Sequence, residues 1–129
     1  MGSSYRELLV WQKAKALAVD VYGETKSFPR SEAYGLTSQL RRAAVSVVSN
    51  IAEGQGRLTT GEFRQFLGHA RGSLLELETQ IAIASDLGYL SKAQCTPLNT
   101  RSREVLYLLN RLIASLEAQQ PLAVSSAGR

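Results

Sequence analysis

The stretch "RRAAVSVVSNIAEGQGR", Arg41 to Arg57, decides how this chain is read. An arginine pair opens it, small and β-branched residues fill it, and Asn-Ile-Ala-Glu-Gly leads to its end. On a helical wheel Leu36, Leu40, Ala43, Val47 and Ile51 form one stripe, sufficient to face a core. Ala44, Val45, Val48 and Ala52 widen the apolar arc to about half the circumference, well beyond the ~100° that a surface helix needs. The surplus has two readings: a helix buried on several sides, or one that packs on another copy of the chain. Small side chains let backbones approach closely, which favours the second. Ala44, Val45, Val48 and Ala52, with Arg41 beside them, are therefore the expected subunit interface.

The polar residues Arg42, Ser46, Ser49, Asn50 and Glu53 share another side of the same helix. They read either as a solvated face or as a register device, with Arg41 or Arg42 holding Glu76 or Glu78 of the next helix. An arginine fork suits the latter because it grips a carboxylate with two parallel N–H bonds.

Outward from this segment the chain reads as helix throughout, since no stretch sustains two-residue alternation. A first helix is expected from about Tyr5 to Ser27, with Leu8, Trp11, Ala14, Ala18, Val21, Tyr22 and Thr25 at helical spacing. The second is expected from about Glu32 to Gln55, with Ser31 as N-cap and Gly54 and Gly56 as stops. In the third, Thr59 or Thr60 caps a seam of Phe63, Leu67, Ala70, Leu74, Leu77, Ile81 and Ala84, and Gly88 ends it. Steps of four and three are the geometry of left-handed bundle packing. The fourth, about Ser91 to Gln119, continues with Leu98, Val105, Leu109, Leu112 and Leu116. Its start is either Ser91, with Pro97 in the second turn, or Thr96, with Pro97 at the tolerated first position. Short connections between such helices predict an all-α, antiparallel up-down-up-down four-helix bundle, a single domain over residues 5–119. "PLAVSSAGR" has no periodicity, and residues 120–129 read as a disordered tail.

Composition narrows the function classes. The 129 residues are 44% hydrophobic and 20% charged, ordinary for one globular domain. No apolar run approaches the ~20 residues of a membrane span, so no membrane partner is expected. The opening "MGSSYRELLVWQKAK" has neither an export pattern nor the hydroxyl residue at position 6 of a myristoylation signal, which predicts a cytoplasmic location. Cys95 stands alone, so no internal disulfide or cysteine cage can form. A net charge of +4 is compatible with a polyanion and equally with plain solubilising charge.

"YGLTSQLRRAAVSVVSNIAEGQGR" and "EFRQFLGHARGSLLELETQIAIASDLGYL" resemble the four-helix proteins encoded in intervening sequences of bacterial 23S ribosomal RNA genes. The specific pieces are "SQLRRAAVSVVSNIAEG" and "GSLLELETQI", and the likeness runs from about Tyr5 to Leu116. It implies an antiparallel bundle that assembles into a ring of five subunits. A more distant resemblance is to the accessory protein of diversity-generating retroelements, which binds a reverse transcriptase and nucleic acid. One departure is visible. Family members commonly carry Ile-Pro where this chain has Val47-Val48, so an uninterrupted second helix is expected.

No catalytic, cofactor or metal site emerges from the residues. His69 is the only histidine, without a Glu-x-x-His pair for a di-metal bundle. Neither a phosphate-cradling loop nor a nucleophile elbow occurs. Cys95 reads as a small core residue. On the fourth helix, however, Arg103, Tyr107 and Arg111 follow at intervals of four opposite the leucine seam, with Asn110 on the flank. Two guanidiniums around an exposed ring suit phosphates and an unpaired base. Arg57, Arg64 and Arg71, seven apart, read as seam-flanking charges for salt bridges between helices. Five copies of a +4 chain would concentrate about +20 on one particle. The expected function is a non-enzymatic oligomeric scaffold associated with RNA or a ribonucleoprotein, with RNA or a nucleic-acid-processing protein as the expected partner beside copies of itself. The alternative is an adaptor ring that docks a protein and has no direct nucleic-acid role.

Overall fold

A computed structural model describes residues 4–119. Among them are four α-helices and no strand: α1 Leu9–Glu24, α2 Leu36–Gln55, α3 Thr60–Asp86 and α4 Lys92–Gln119. Short 3₁₀ turns, Tyr5–Glu7 and Arg30–Glu32, precede α1 and α2. The tail expected at 120–129 lies outside the described residues. α1 packs on α2 and α4, and α3 packs on the same two helices. Lys13 meets Glu104 at 3.3 Å and Asp20 meets Arg101 at 2.8 Å, so partners occur in reverse order along α1 and α4. Along α2 and α3 the order is again reversed: Ser46 bonds Ser73 at 2.8 Å, and Gly54 lies against Phe66 and Phe63.

The seams do what their spacing predicts. Leu67, Ala70, Leu74, Leu77, Ile81 and Ala84 of α3 are buried, with Phe63 half-buried at the edge. On α4, Cys95 opens the buried face, Ser102 fills the step between Leu98 and Val105, and Leu109 and Leu116 continue it, with Leu112 half-buried. In α1 the buried face is Val10, Ala14, Leu17, Ala18 and Val21, while Leu8 and Trp11 cover its flank and Tyr22 is exposed. Val47 and Val48 sit in an unbroken α2.

Helix ends follow their cap chemistry. Thr59 Oγ1 accepts the Glu62 N–H at 3.1 Å and starts α3. At its end Gly88 takes φ 81°, with Tyr89 N–H on the Ala84 carbonyl at 2.9 Å and Gly88 N–H on Ser85 at 3.0 Å. That paired arrangement satisfies carbonyls the helix leaves open, and a left-handed φ favours glycine. Ser91 and Gln94 cap α4 reciprocally: Ser91 Oγ accepts from Gln94 N–H at 3.2 Å and Gln94 Oε1 from Ser91 N–H at 2.8 Å. Of the two possible starts, Ser91 is used, and Pro97 falls inside the helix.

Two starts differ from expectation. Ser4 caps its own 3₁₀ turn and Leu8 is extended, so α1 begins at Leu9 rather than Tyr5. Ser31 does not cap α2. Instead Glu32 reaches forward, and its Oε1 accepts the Leu36 N–H at 2.9 Å.

Candidate nucleic-acid interface

The outer face of α4 carries the residues singled out in the sequence. Tyr107 is 60% exposed, and the Arg111 guanidinium carbon lies 5.7 Å from the centre of its ring. That distance is a cation–π contact, which holds the arginine beside the ring without covering it. Asn110 is exposed on the flank. Arg103 leans the other way, its Nε 3.8 Å from Glu78 Oε2 on α3, yet 75% of its side chain meets solvent. Glu104, a possible partner for these arginines, bonds Lys13 instead. The face thus brings Tyr107 and Arg111 together and leaves Arg103 as a loosely held cation one turn away.

The residues expected at a subunit interface divide. Ala44 is 1% exposed and packs inside the chain's own core, so it offers no surface to a second copy. Its placement follows from α2 packing on both α1 and α3, which buries a wider arc than a helix with one neighbour. Val45 remains 42% exposed, and Val48 and Ala52 are half-buried. Arg41 does not reach Glu76 or Glu78. Its Nε donates to Thr25 Oγ1 at 2.9 Å and its guanidinium stacks 4.6 Å from the Tyr22 ring centre, at the C-terminal end of α1. Negative potential at a helix C-terminus attracts a cation there. Glu78 is held by Ser102, whose hydroxyl donates at 2.6 Å.

Other charged and aromatic residues settle locally. Arg57 pairs with Glu53 of α2 at 3.1 Å and lies 4.4 Å from the centre of the Phe66 ring of α3, so its ion pair is local and its contact with the next helix is cation–π. His69 is exposed and stacks on the same Phe66 ring, with centroids 5.8 Å apart. Among the described residues no group of His, Cys, Asp and Glu could hold a metal ion, and no helix is long and apolar enough to cross a membrane.

One feature escaped the wheel: a polar groove of roughly 500 Å³ between α2 and α3, lined by Ser38, Arg42, Ser73, Glu76 and Gln80 with Tyr34 at its mouth. Gln80, three residues after Leu77 and four before Ala84, was its signal: a polar residue on the flank of a buried seam.

Four helices around one apolar core, with no strand among the described residues, define an all-α helical protein. A family model described as 23S rRNA-intervening sequence protein matches residues 6–111, and the chain belongs to that family. It is also similar to a crystal structure of a protein of unknown function from the S23 ribosomal protein family of Bacteroides thetaiotaomicron. The two superpose with a TM-score of 0.74 at 22% identity, covering 81% of this chain and 98% of the other. That likeness extends the fold. No curated protein matches the chain.

Proposed function

We propose that this protein is a non-enzymatic, antiparallel four-helix scaffold that assembles with copies of itself in the bacterial cytoplasm and contacts RNA through α4. The observation that carries the RNA reading is the exposed Tyr107 ring with Arg111 alongside and Arg103 one turn before it. An aromatic face stacks an unpaired base, and flanking guanidiniums neutralise phosphates. Self-association draws support from Val19, Tyr22 and Val45, large apolar side chains left at the surface of α1 and α2. A ring of five is what the family resemblance implies, and repeated α4 faces would turn one weak patch into a multivalent one.

The test is fluorescence polarisation with labelled single-stranded RNA over a salt series, comparing the wild type with Arg103→Ala plus Arg111→Ala. The double variant should lose roughly tenfold or more in affinity and reduce the salt slope by about two. Unchanged affinity and slope would remove α4 from the RNA reading. The rival, a protein-docking adaptor, predicts no salt-dependent RNA binding by the wild type at all. Sedimentation velocity at micromolar concentration tests the assembly, and a lone subunit would overturn it.

A further inference from the structure

We infer that copies of the chain meet head to tail, the α1–α2 face of one subunit receiving the outer ridge of α3 from the next. This pairing rests on the self-association proposed above and names both halves of the contact.

The first half is shared by two helices. Trp11, Lys15, Val19 and Tyr22 follow at steps of four and three along one side of α1, as do Arg41, Val45, Val48 and Ala52 along α2. Arg41 lies 4.6 Å from the Tyr22 ring centre and joins the two rows. Val19, Tyr22 and Val45 are exposed, with Trp11 and Val48 half-buried beside them. Cations border this face: Arg6 and Lys15 lie 5.8 and 5.5 Å from the Trp11 ring centre, and Arg41 covers Tyr22. The acids of α1 and α2 are engaged elsewhere. Asp20 pairs with Arg101 and Glu24 accepts from Gln94, both on α4, while Glu53 pairs with Arg57.

The second half is a single ridge. Leu75, Thr79, Ile83 and Leu87 recur every four residues along α3, and all are exposed. The other sides of α3 are occupied: Leu77, Ile81 and Ala84 enter the core, Ser73 bonds α2 and Glu78 accepts from α4. The Thr79 hydroxyl donates to the Leu75 carbonyl at 2.9 Å, so the ridge demands no polar partner. From Leu75 to Leu87 the sequence carries Glu76, Glu78 and Asp86 and no lysine or arginine. Glu76 and Asp86 are exposed, and neither has an ion pair within 4.0 Å among the described residues.

Charge selects the partner. Two α1–α2 faces brought together would set Lys15 and Arg41 against their own copies, and two α3 ridges would do the same with Glu76 and Asp86. Like charges opposed across an interface are strongly disfavoured. The α3 ridge on the α1–α2 face instead sets acids against cations and apolar side chains against apolar side chains. The lengths also agree: at ~1.5 Å per residue, Leu75 to Leu87 spans about 18 Å and Trp11 to Tyr22 about 16 Å. A contact between two different patches closes a ring or extends a filament, whereas a two-fold dimer needs one self-complementary patch.

The experiment is sedimentation velocity of the full chain and two variants, alone and mixed in equal amounts. One variant is Val19→Gln plus Val45→Gln on the α1–α2 face, and the other is Leu75→Gln plus Ile83→Gln on α3. Each variant alone should sediment as a single subunit. Their mixture should form a two-subunit species and nothing larger, because each supplies the face the other lacks. Thermal midpoints near the wild type check the fold; should the α3 pair lower its own, Thr79→Arg at one exposed position replaces it. Loss of assembly in the α1–α2 variant with wild-type assembly in the α3 variant overturns the pairing in favour of a self-complementary α1–α2 contact. Wild-type assembly in both variants, or folded variants whose mixture stays at single subunits, also overturns it while sparing self-association. A wild type that sediments as a lone subunit overturns self-association itself, and the pairing with it.

Discussion

Tyr89, in the turn after α3, donates its hydroxyl hydrogen to Glu32 Oε2 at 3.0 Å, while Glu32 Oε1 accepts the Leu36 N–H that opens α2. One carboxylate therefore caps a helix and ties it to a connection 57 residues away. The hydrogen bond to Glu32, then burial, then the Glu32 charge all push the Tyr89 phenol above its ordinary pKa of 10.0. The folded state prefers the neutral ring, so this stabilisation is intact below about pH 10 and lost as pH rises through the raised folded value. Tyr89→Phe should unfold at lower urea than the wild type at pH 7, with the gap narrowing at pH 11. A gap that stays constant would separate the Tyr89 proton from the stability.

Gly54 reads as a helix stop, yet α2 continues through it and Gly56 supplies the cap. A Cβ at residue 54 would sit 2.8 Å from Phe66 Cβ and 3.2 Å from the Phe63 carbonyl oxygen. Gly54→Ala gains up to ~1 kcal/mol of helix propensity and loses more to overpacking, for a net cost of about 1–3 kcal/mol. Gly68 and Gly72 of α3 have nothing within 4 Å of such an atom. Ala at either position should stabilise an isolated chain by roughly 0.5–1 kcal/mol. Urea titrations of the three variants check the signs. If copies meet along that face, the same alanines should weaken assembly in sedimentation.

The seams of α3 and α4 were legible because period and burial coincide: a leucine every three or four residues has only one side to hide on. The start of α2 was not, because its cap comes from Glu32, four residues before Leu36, and from no Ser or Asp at the usual position. The breadth of the apolar arc on α2 was visible, but its destination was ambiguous. Ala44 and Gly54 are consumed by close packing inside the chain, whereas Val45 is not, and a wheel draws them alike. Likewise the α4 face was readable as a pattern of Arg, Tyr and Arg, while the groove depended on which two helices become neighbours.

Arg41 illustrates the same limit and yields a direct test. Of the arginine pair that could have held Glu76 or Glu78 as a register device, Arg41 instead clamps the end of α1, donating to Thr25 Oγ1, whose own hydroxyl hydrogen bonds the Val21 carbonyl at 2.8 Å. Its planar group also covers the Tyr22 ring. A lysine keeps the charge and loses the fork and the stacking surface. Arg41→Lys should therefore cost about 1–2 kcal/mol in chemical unfolding, nearly as much as Arg41→Ala, since the loss includes a charged hydrogen bond and stem packing. Full retention of stability by the lysine variant would reduce the clamp to simple charge at a helix terminus.

Ser102 occupies a heptad step of α4 between Leu98 and Val105, where an apolar residue would ordinarily pack, and it is fully buried. Its hydroxyl donates to Glu78 Oε2 at 2.6 Å, leaving that half-buried carboxylate with only the distant Arg103 as a second partner. Two outcomes for Ser102→Ala are physically distinct. If the hydroxyl is merely tolerated in the seam, alanine is neutral, because burying a methyl replaces burying a polar group. If it solvates Glu78, alanine strands part of a charge and destabilises the chain by roughly 1–3 kcal/mol. The short, charge-assisted geometry favours the second. Glu78→Gln combined with Ser102→Ala completes a cycle in which the pair should couple by ~1 kcal/mol or more. Arg103→Ala, removing only an exposed pair at 3.8 Å, should cost under ~1 kcal/mol and leave the fold intact for RNA titrations.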